Sequence, residues 1–394
     1  MSYLLQAGCP AIEYINDHAQ TLQNEHQACD DEGQLTQRVK EVMVASGGMR
    51  LMQASEHGGA QARLQEFFAW VRAVARHNPS AGWVAGVVGV HPWEIALVDD
   101  KLADEIYGTD ADTWVASPYA PQGKATAVDG GYLLTGEWQY STGTDHCNWV
   151  VLGGIVAPRA DGERGQMRHF FLPRGDYEIV PDSWRVMGLV GTGSKNVRVD
   201  GAFVPAHRTL VHEELAEGAL GHRRPKTLLY QLPFGCVFSG AIAAATFGIA
   251  EGAVAQYREY LRTRVSINRV VGKTDPYQQE ALAEVAADLA AGIVHVDAMF
   301  DAWLEQLERG EPISTAQRLE FRRNQVRAVQ RVLFGVDKML SRAGSAAIWT
   351  TRPLEHFWRD LRTAGTHICD AADLIYRDWA NHAFDTGERI SVMH

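Results

Sequence analysis

The sequence predicts an α+β fold in which a helical segment is followed by a β segment and then by a helical bundle. Before residue 108, apolar residues recur at three- and four-residue steps, which is typical of amphipathic helices. Between 109 and about 212, β-branched and aromatic runs alternate with turns, as in a small barrel or sandwich. Beyond 221 the pattern is helical again. We therefore expect three domains, comprising residues 1–108, 109–220 and 221–394.

A helix is predicted before residue 78 because apolar side chains recur at helical spacing, namely at Leu64, Phe67, Phe68, Val71, Val74 and Ala75. The Asn78-Pro79-Ser80 sequence ends this helix, and Ser80 is expected to cap the next one. The very apolar stretch 81–98 contains a histidine, a proline and a glutamate. It therefore predicts a pair of buried helices, not a membrane span.

Alternating runs in the middle of the chain predict strands, namely around residues 125–128, 132–135, 149–152, 169–172 and 197–199. Asp129-Gly130-Gly131 lies between the first two runs and predicts a hairpin. Three long helices are predicted after them, at Gly240–Arg264, Pro276–Leu307 and Ser314–Ala343. Helices of this length usually form an antiparallel bundle.

The composition excludes several classes of function. The chain has 394 residues and a net charge of −11, which argues against nucleic-acid binding and against an anionic membrane surface. Its five cysteines are scattered without a CxxC pair, which argues against a disulfide framework or a structural zinc site. The first residues lack the pattern of a signal peptide, so we expect a cytoplasmic location.

Common cofactor motifs are missing from the sequence. It contains neither a GxGxxG nor a GxxxxGK[ST] pattern, and neither HExxH nor GxSxG. Gly188–Ser194 reads GLVGTGS, but it lies between strand-like runs instead of opening a helix, which argues against a phosphate cradle. No metal site is predicted, because the histidines lack ligand spacing.

Four local clusters are candidates for chemistry. Trp83–His91 lies in an apolar helix, where a single histidine is more often a core residue. Ser117–Pro121 is a turn that could be merely rigid. Trp138–His146 gathers hydroxyls and a glycine at the end of a strand, where a ligand can approach the backbone. Gly365–His367 follows Phe357–Asp360 near the carboxyl terminus.

In this order, the clusters resemble the acyl-CoA dehydrogenase fold, and especially its group D branch, the oxygenase components of two-component flavin-dependent aromatic monooxygenases. The resemblance extends from residue 56 to residue 367. It is carried by the segments GWVAGVVGVHPW, ASPYAPQG, GEWQYSTGTDH, LPRGDYEIV, GLVGTGS and FWRDLRTAGTH. Members acting on p-hydroxyphenylacetate and on a phenolic secosteroid are similar. The resemblance implies an N-terminal helical domain, a central β-barrel or sandwich and a C-terminal four-helix bundle.

The resemblance also implies roles for single residues. His367 corresponds to the family's histidine that takes the substrate's phenol proton, and His91 to its first active-site histidine. Ser117 corresponds to a serine that lines the flavin and substrate pocket, although the family's triple serine is reduced to Ala-Ser-Pro here. Thr142 replaces the serine that contacts flavin N5, and it retains the hydroxyl.

Five residues are implied to bind the cofactor, namely Trp83, Ser117, Ser141, Thr142 and Arg264. Trp83 corresponds to a tryptophan beside the flavin ring, and Ser141 precedes the N5 contact. Arg264 corresponds to an arginine near the cofactor's phosphate end, although the family's RVR segment reads Arg-Val-Ser in this chain.

The implied function is aromatic hydroxylation. Reduced FMN or FAD is supplied by a separate reductase and forms a C4a-hydroperoxyflavin with dioxygen, which hydroxylates a phenolic or indole-like substrate. A homotetramer is implied as well. Phenol, secosteroid, indole, polyketide and heteroatom oxidation all remain open, as does the choice between FMN and FAD.

Two other functions are compatible with the sequence. An acyl-CoA dehydrogenase with tightly bound FAD shares the fold, but it commonly has a glutamate base in the segment where this chain has His367. A helical binding protein that lost its chemistry also shares the fold, and it would show no affinity for flavin.

Overall fold

The computed structural model describes residues 8–158, 165–224, 226–388 and 390. The first seven residues of the predicted N-terminal domain, and the last four of the C-terminal domain, lie outside this range. The helices are α1 (Pro10–Asp17), α2 (Ala19–Asn24), α3 (His26–Glu32), α4 (Gln37–Ala45), α5 (Leu64–His77), α6 (Pro79–Gly89), α7 (His91–Ile95), α8 (Asp100–Tyr107), α9 (His212–Ala216), α10 (Phe234–Thr263), α11 (Pro276–Glu308), α12 (Thr315–Ala343), α13 (Pro353–Ala364) and α14 (Ala372–Ala383). The strands are β1 (Val115–Ala116), β2 (Gly123–Val128), β3 (Gly131–Ser141), β4 (Trp149–Val156), β5 (Gln166–Pro173), β6 (Glu178–Ile179), β7 (Lys195–Pro205) and β8 (Thr209–Val211).

The β segment forms one mixed sheet in the order β6-β7-β3-β2-β4-β5-β8, and β1 pairs in parallel with β4. The predicted hairpin is confirmed. Val128 pairs with Gly131, which leaves Asp129 and Gly130 as a two-residue turn. Gly130 has a φ of 75°, a left-handed conformation that glycine adopts without steric cost.

Helices α6 and α7 confirm the predicted pair of buried helices. Every residue of α6 is buried, because the helix packs between α5 and α10. The predicted cap at Ser80 is wrong. The side chain of Asn78 caps α6 by accepting a hydrogen bond from the amide of Ala81 at 3.0 Å. Asn78 takes this place because Pro79 is suited to the first position of a helix, where no amide hydrogen is needed.

The predicted long helices are confirmed, although α10 begins six residues before the predicted start. Ser314 caps α12 in a reciprocal arrangement with Gln317. Helix α10 packs against α5 and α6 on one side and against α11, α12 and α13 on the other, so the two helical segments share one core. It is long and apolar enough to cross a membrane, but 94% of its most apolar window is buried inside the protein.

Candidate active site

An aromatic cluster joins the N-terminal helices to the carboxyl-terminal segment. Trp83 on α6 meets the ring of His367 edge-on, with 5.5 Å between the ring centroids. Phe238 on α10 lies on another side of His367, at 6.1 Å. The structure thus brings together two residues of the sequence prediction that are 284 positions apart, Trp83 and His367.

The aromatic cluster continues to the start of the sheet. Phe238 contacts the ring of Tyr119 edge-on at 5.2 Å, and Tyr119 contacts the ring of His91 at 5.7 Å. Ser117 follows β1, and its hydroxyl lies close to that of Tyr119. A chain of aromatic contacts therefore connects His91 to His367, and Ser117 lies beside it.

The imidazole of His367 is neutral at physiological pH. Burial, and next the charge of Arg322, lower the pKa of His367 to about 4. Its Nδ1 accepts a hydrogen bond from the amide of Cys369 at 3.2 Å, which assigns the ring proton to Nε2. In this arrangement Nε2 is a hydrogen-bond donor. The ring can therefore hold a substrate oxygen and stabilise its anionic form.

His91 presents a hydrogen-bond acceptor, whereas His367 presents a donor. Its Nδ1 donates to the carbonyl of Val115 at 2.5 Å, so its buried Nε2 is an acceptor. Burial lowers the pKa of His91 to about 4, although the bond to Val115 opposes this effect. Nε2 of His91 has no hydrogen-bond partner among the described residues. A neutral acceptor without a partner is suited to a ligand's hydrogen-bond donor.

Thr142 is held by a chain of hydroxyl groups. Its Oγ1 lies 2.9 Å from Oγ of Ser194, and this oxygen lies 2.8 Å from Oγ1 of Thr192. Thr192 in turn donates to the carbonyl of Leu189. The Thr142 hydroxyl therefore has a defined orientation before any ligand binds.

The turn that carries Thr142 packs directly against the helix of Trp83. Gly143 has a φ of 68°, and a Cβ at this position would lie 3.2 Å from the side chain of Val84. Tyr140 adopts a left-handed φ of 69°, which is uncommon for a residue with a Cβ. Such backbone conformations cluster at ligand sites, where the surrounding structure enforces them.

Two backbone amides of the loop 188–194 are bound by carboxylates. Asp360 accepts a hydrogen bond from the amide of Leu189 at 2.6 Å, and Asp30 accepts one from Gly191 at 3.0 Å. The loop presents its hydroxyls to Thr142. The carboxylates of α3 and α13 thus hold the loop in place.

The same carboxylates belong to a buried cluster with two histidines. Donor atoms of His26, His356 and Asp360 lie within 4.8 Å of one another, as in a metal site. The two imidazole rings, however, are stacked at 3.5 Å with only 8° between their planes. The nitrogen lone pairs lie in these planes, so they do not converge on one ion. The cluster is a hydrogen-bond network, in which His26 meets Asp360 and His356 meets Asp30.

Arg264 lies far from the other predicted site residues. It ends α10, where its Nε donates to the Tyr260 hydroxyl at 3.1 Å. Since a helix rises 1.5 Å per residue, about 39 Å of α10 separates Arg264 from Phe238. A role for Arg264 in cofactor binding therefore needs a site on another copy of the chain.

Comparisons with known proteins identify the family. The family model described as acyl-CoA dehydrogenase, C-terminal domain, matches residues 240–370. A pigment production hydroxylase of Rhodococcus erythropolis is 40% identical over 90% of this chain and 91% of its own length. The flavin-dependent monooxygenase oxygenase subunit HsaA of Rhodococcus jostii (strain RHA1) is 34% identical over 90% of this chain and 93% of its own length. This chain belongs to the flavin-dependent monooxygenase oxygenase subunits.

The fold of this monooxygenase is shared with a solved relative. The crystal structure of 3-HSA hydroxylase from Rhodococcus sp. RHA1 matches with a TM-score of 0.91 and 31% identity, and the match covers 98% of this chain and 99% of that one. The expected acyl-CoA dehydrogenase-like fold is confirmed. The dehydrogenase alternative is not supported, because these relatives are named hydroxylases and monooxygenases.

The described residues fit a flavin. Besides His91, the hydroxyl of Ser141 is buried without a hydrogen-bond partner among the described residues. Buried polar atoms that lack a partner are suited to the polar edge of a planar ring. Ser141 and Thr142 lie next to each other at the end of β3, as the resemblance implies.

Several residues of the site were given no role from the sequence, namely Tyr119, Phe238, Ser194, Glu94 and His169. Tyr119 follows Ser117 by two residues, so its place near the site could have been predicted from the sequence. Ser194 belongs to the glycine-rich loop, whose serine and threonine suggested hydroxyl donors. No local pattern connects Glu94 with His169, because they are 75 residues apart on different elements.

Proposed function

We propose that this monooxygenase hydroxylates an aromatic substrate with a phenolic oxygen. The position of His367 carries the proposal, because its Nε2–H donor belongs to an aromatic wall formed with Trp83 and Phe238. An aromatic ring packs well against such a wall. The donor stabilises the phenolate form, in which the ring is more electron-rich and therefore more easily oxidised.

The residues of the site have different roles in the proposed reaction. When bound, the reduced flavin supplies the electrons that activate dioxygen for insertion of one oxygen atom into the substrate. Thr142 and Ser141 hold the flavin ring, and Ser194 keeps the Thr142 hydroxyl in place. Trp83 and Phe238 exclude water from the pocket, since both are buried apolar side chains. His91 accepts a hydrogen bond from flavin or substrate.

Anaerobic titration with reduced FMN and with reduced FAD tests the cofactor role. We expect reduced flavin to bind much more tightly than oxidised flavin, because the protein collects it from a reductase. Oxygen and a panel of phenols are then added, and the products are separated by chromatography. NADH alone should give no turnover. Steady oxidation of NADH by the isolated chain would contradict the requirement for a reductase.

The protein is proposed to form a homotetramer. Three large apolar side chains that are more than half exposed lie around the end of α12, namely Phe334, Ile348 and Trp349. Exposed apolar patches usually mark interfaces. Self-association would cover them and would also allow Arg264 to reach a neighbour's cofactor. Light scattering is expected to give the mass of four chains, and a monomer at micromolar concentration would overturn this proposal.

The two remaining assignments are the partner protein and the cellular location. A flavin reductase is the expected transient partner, since oxygenase subunits of this family receive their flavin from one. We propose a cytoplasmic location, where NADH and reductases are available. Copurification of a reductase activity with the tagged chain from its own cells would support both assignments.

A further inference from the structure

The hydroxyls of Thr142, Ser194 and Thr192 form a chain whose protons have only one arrangement. Thr192 donates to the carbonyl of Leu189 at 2.8 Å, and a carbonyl can only accept. A hydroxyl has one proton, so Oγ of Ser194 must supply the proton for its 2.8 Å hydrogen bond with Thr192. By the same argument, Thr142 donates to Ser194 at 2.9 Å. The Thr142 oxygen therefore has only lone pairs left for a ligand.

The far end of this chain is held in place by further hydrogen bonds. Leu189 adopts a left-handed φ of 55°, and its amide donates to the buried carboxylate of Asp360 at 2.6 Å. Its carbonyl also accepts a hydrogen bond from Nε1 of Trp184 at 3.1 Å. Reversing the chain would take the Thr192 proton away from this carbonyl and break a buried hydrogen bond, which costs free energy.

The near end of the chain is held by the backbone. The amide of Gly143 donates to the carbonyl of Thr192 at 2.9 Å, which ties the turn after β3 to the loop 188–194. Thr142, Ser194 and Thr192 are each at most 4% exposed. Bulk water therefore does not compete for the protons of these hydroxyls, and the direction of the chain is set by the protein.

Oxidised and reduced flavins differ at the ring atom N5. Reduced flavin carries a hydrogen on N5 and can donate it, whereas oxidised flavin has a lone pair there and can only accept. An oxygen that can only accept forms a hydrogen bond with reduced N5, but it meets oxidised N5 lone pair to lone pair. Two buried acceptors that face each other without a proton lower the affinity, because neither is satisfied.

We propose that Thr192 and Ser194 make the site selective for reduced flavin by fixing Thr142 as a hydrogen-bond acceptor. The proposal rests on the proposed function, in which Thr142 holds the flavin ring, and on the implied contact of Thr142 with N5. Ser194 and Thr192 are positioning residues, because they act through Thr142. Since the flavin leaves each turnover oxidised, the same arrangement favours its release and its replacement by reduced flavin.

Titration of Thr192→Val with oxidised flavin and, without oxygen, with reduced flavin tests the proposal without turnover. The flavin is FMN or FAD, whichever the wild type binds more tightly. Valine has nearly the shape of threonine but no hydroxyl, so Ser194 becomes free to donate to Thr142, and Thr142 to oxidised N5. We expect the Kd of oxidised flavin to fall about 2–10-fold, the usual value of a neutral hydrogen bond, and the Kd of reduced flavin to change by less than about twofold.

Three further variants and one ligand complete the experiment. Ser194→Ala frees the Thr142 proton directly and should act in the same direction as Thr192→Val. Thr192→Ser keeps the hydroxyl and should keep the wild-type ratio of the two dissociation constants. Thr246→Val also removes a buried threonine hydroxyl that donates to a backbone carbonyl, at 3.0 Å within α10, and should leave the ratio unchanged. In 5-deazaflavin a C–H group replaces N5, so Thr192→Val should not improve its binding.

Two results would overturn the proposal while leaving the proposed function intact. One is an unchanged ratio in both Thr192→Val and Ser194→Ala, including an equal loss of affinity for both forms of flavin, which indicates a purely structural role. The other is tighter binding of 5-deazaflavin to Thr192→Val, which places the effect away from N5. Wild-type protein that binds neither FMN nor FAD in either form would overturn the proposed function and, with it, this proposal.

Discussion

Replacing His367 by alanine is expected to lower formation of hydroxylated product by about 10²–10³-fold, the usual cost of losing a hydrogen-bond donor to developing negative charge. Reduced flavin should still be oxidised by oxygen, because that reaction does not use His367. The oxygen should then appear as hydrogen peroxide instead of product. Hydroxylated product is measured by chromatography and hydrogen peroxide by a peroxide assay, and each amount is divided by the amount of flavin oxidised.

His367→Asn separates two functions of the imidazole. An asparagine amide donates a hydrogen bond but is not a base near neutral pH. If His367 acts as the donor that its bond with Cys369 indicates, Asn should recover a large part of the product lost in Ala. If His367 is the base, Asn and Ala should be equally impaired. Normal coupling in His367→Ala would show that neither role applies, and His91→Asn would then be the variant to examine.

The same residue affects stability in acid. The folded pKa of His367 is about 4, against about 6.5 for an exposed histidine, so the folded state binds fewer protons than the unfolded state between these values. The contribution of His367 to stability is therefore present above pH 6.5 and is lost as the pH falls towards 4. His367→Asn should lose less thermal stability between pH 7 and pH 5 than the wild type does.

Thr142→Ala should have the second largest effect. It removes the hydroxyl that we propose to hold the flavin ring, and a hydrogen bond between neutral groups is worth about 0.5–1.5 kcal/mol, or roughly 2–10-fold. Hydrogen peroxide should be released faster even when substrate is absent, which distinguishes this variant from His367→Ala. Stopped-flow spectra of flavin oxidation, recorded together with a peroxide assay, measure the difference.

Two further variants control for the packing of Thr142. Thr142→Ser keeps the hydroxyl and loses one methyl, so it should behave like the wild type. Ser194→Ala leaves Thr142 intact but removes its partner at 2.9 Å, and it should show a weaker form of the same defect. If Thr142→Ala releases peroxide no faster than the wild type, the hydroxyl does not hold the flavin.

Periodicity predicted the helices well because a buried face imposes its spacing on the sequence. It failed where two nearby residues can both cap the same helix, as Ser80 and Asn78 can. Both residues can accept the hydrogen bond of a helix start, and the choice depends on where the proline lies. The early start of α10 at Phe234 is another boundary that local pattern does not define.

The active site was accessible to sequence reasoning only in part. Trp83 and His367 followed from a resemblance, and each stands in a recognisable segment. The partners that determine their chemistry are remote, as the effect of Arg322 on His367 shows. The hydrogen bond between Glu94 and His169 depends on a helix and a strand that meet only in the folded chain.

Helix α6 is apolar on every side, and its packing partner α10 is made much later. In the order of synthesis, 174 residues separate the end of α6 at Gly89 from the end of α10 at Thr263. At 5–20 residues per second, the ribosome takes roughly ten to thirty-five seconds to cover that distance. During this time α5 can already cover one face of α6, but the apolar face that packs against α10 stays exposed on the nascent chain.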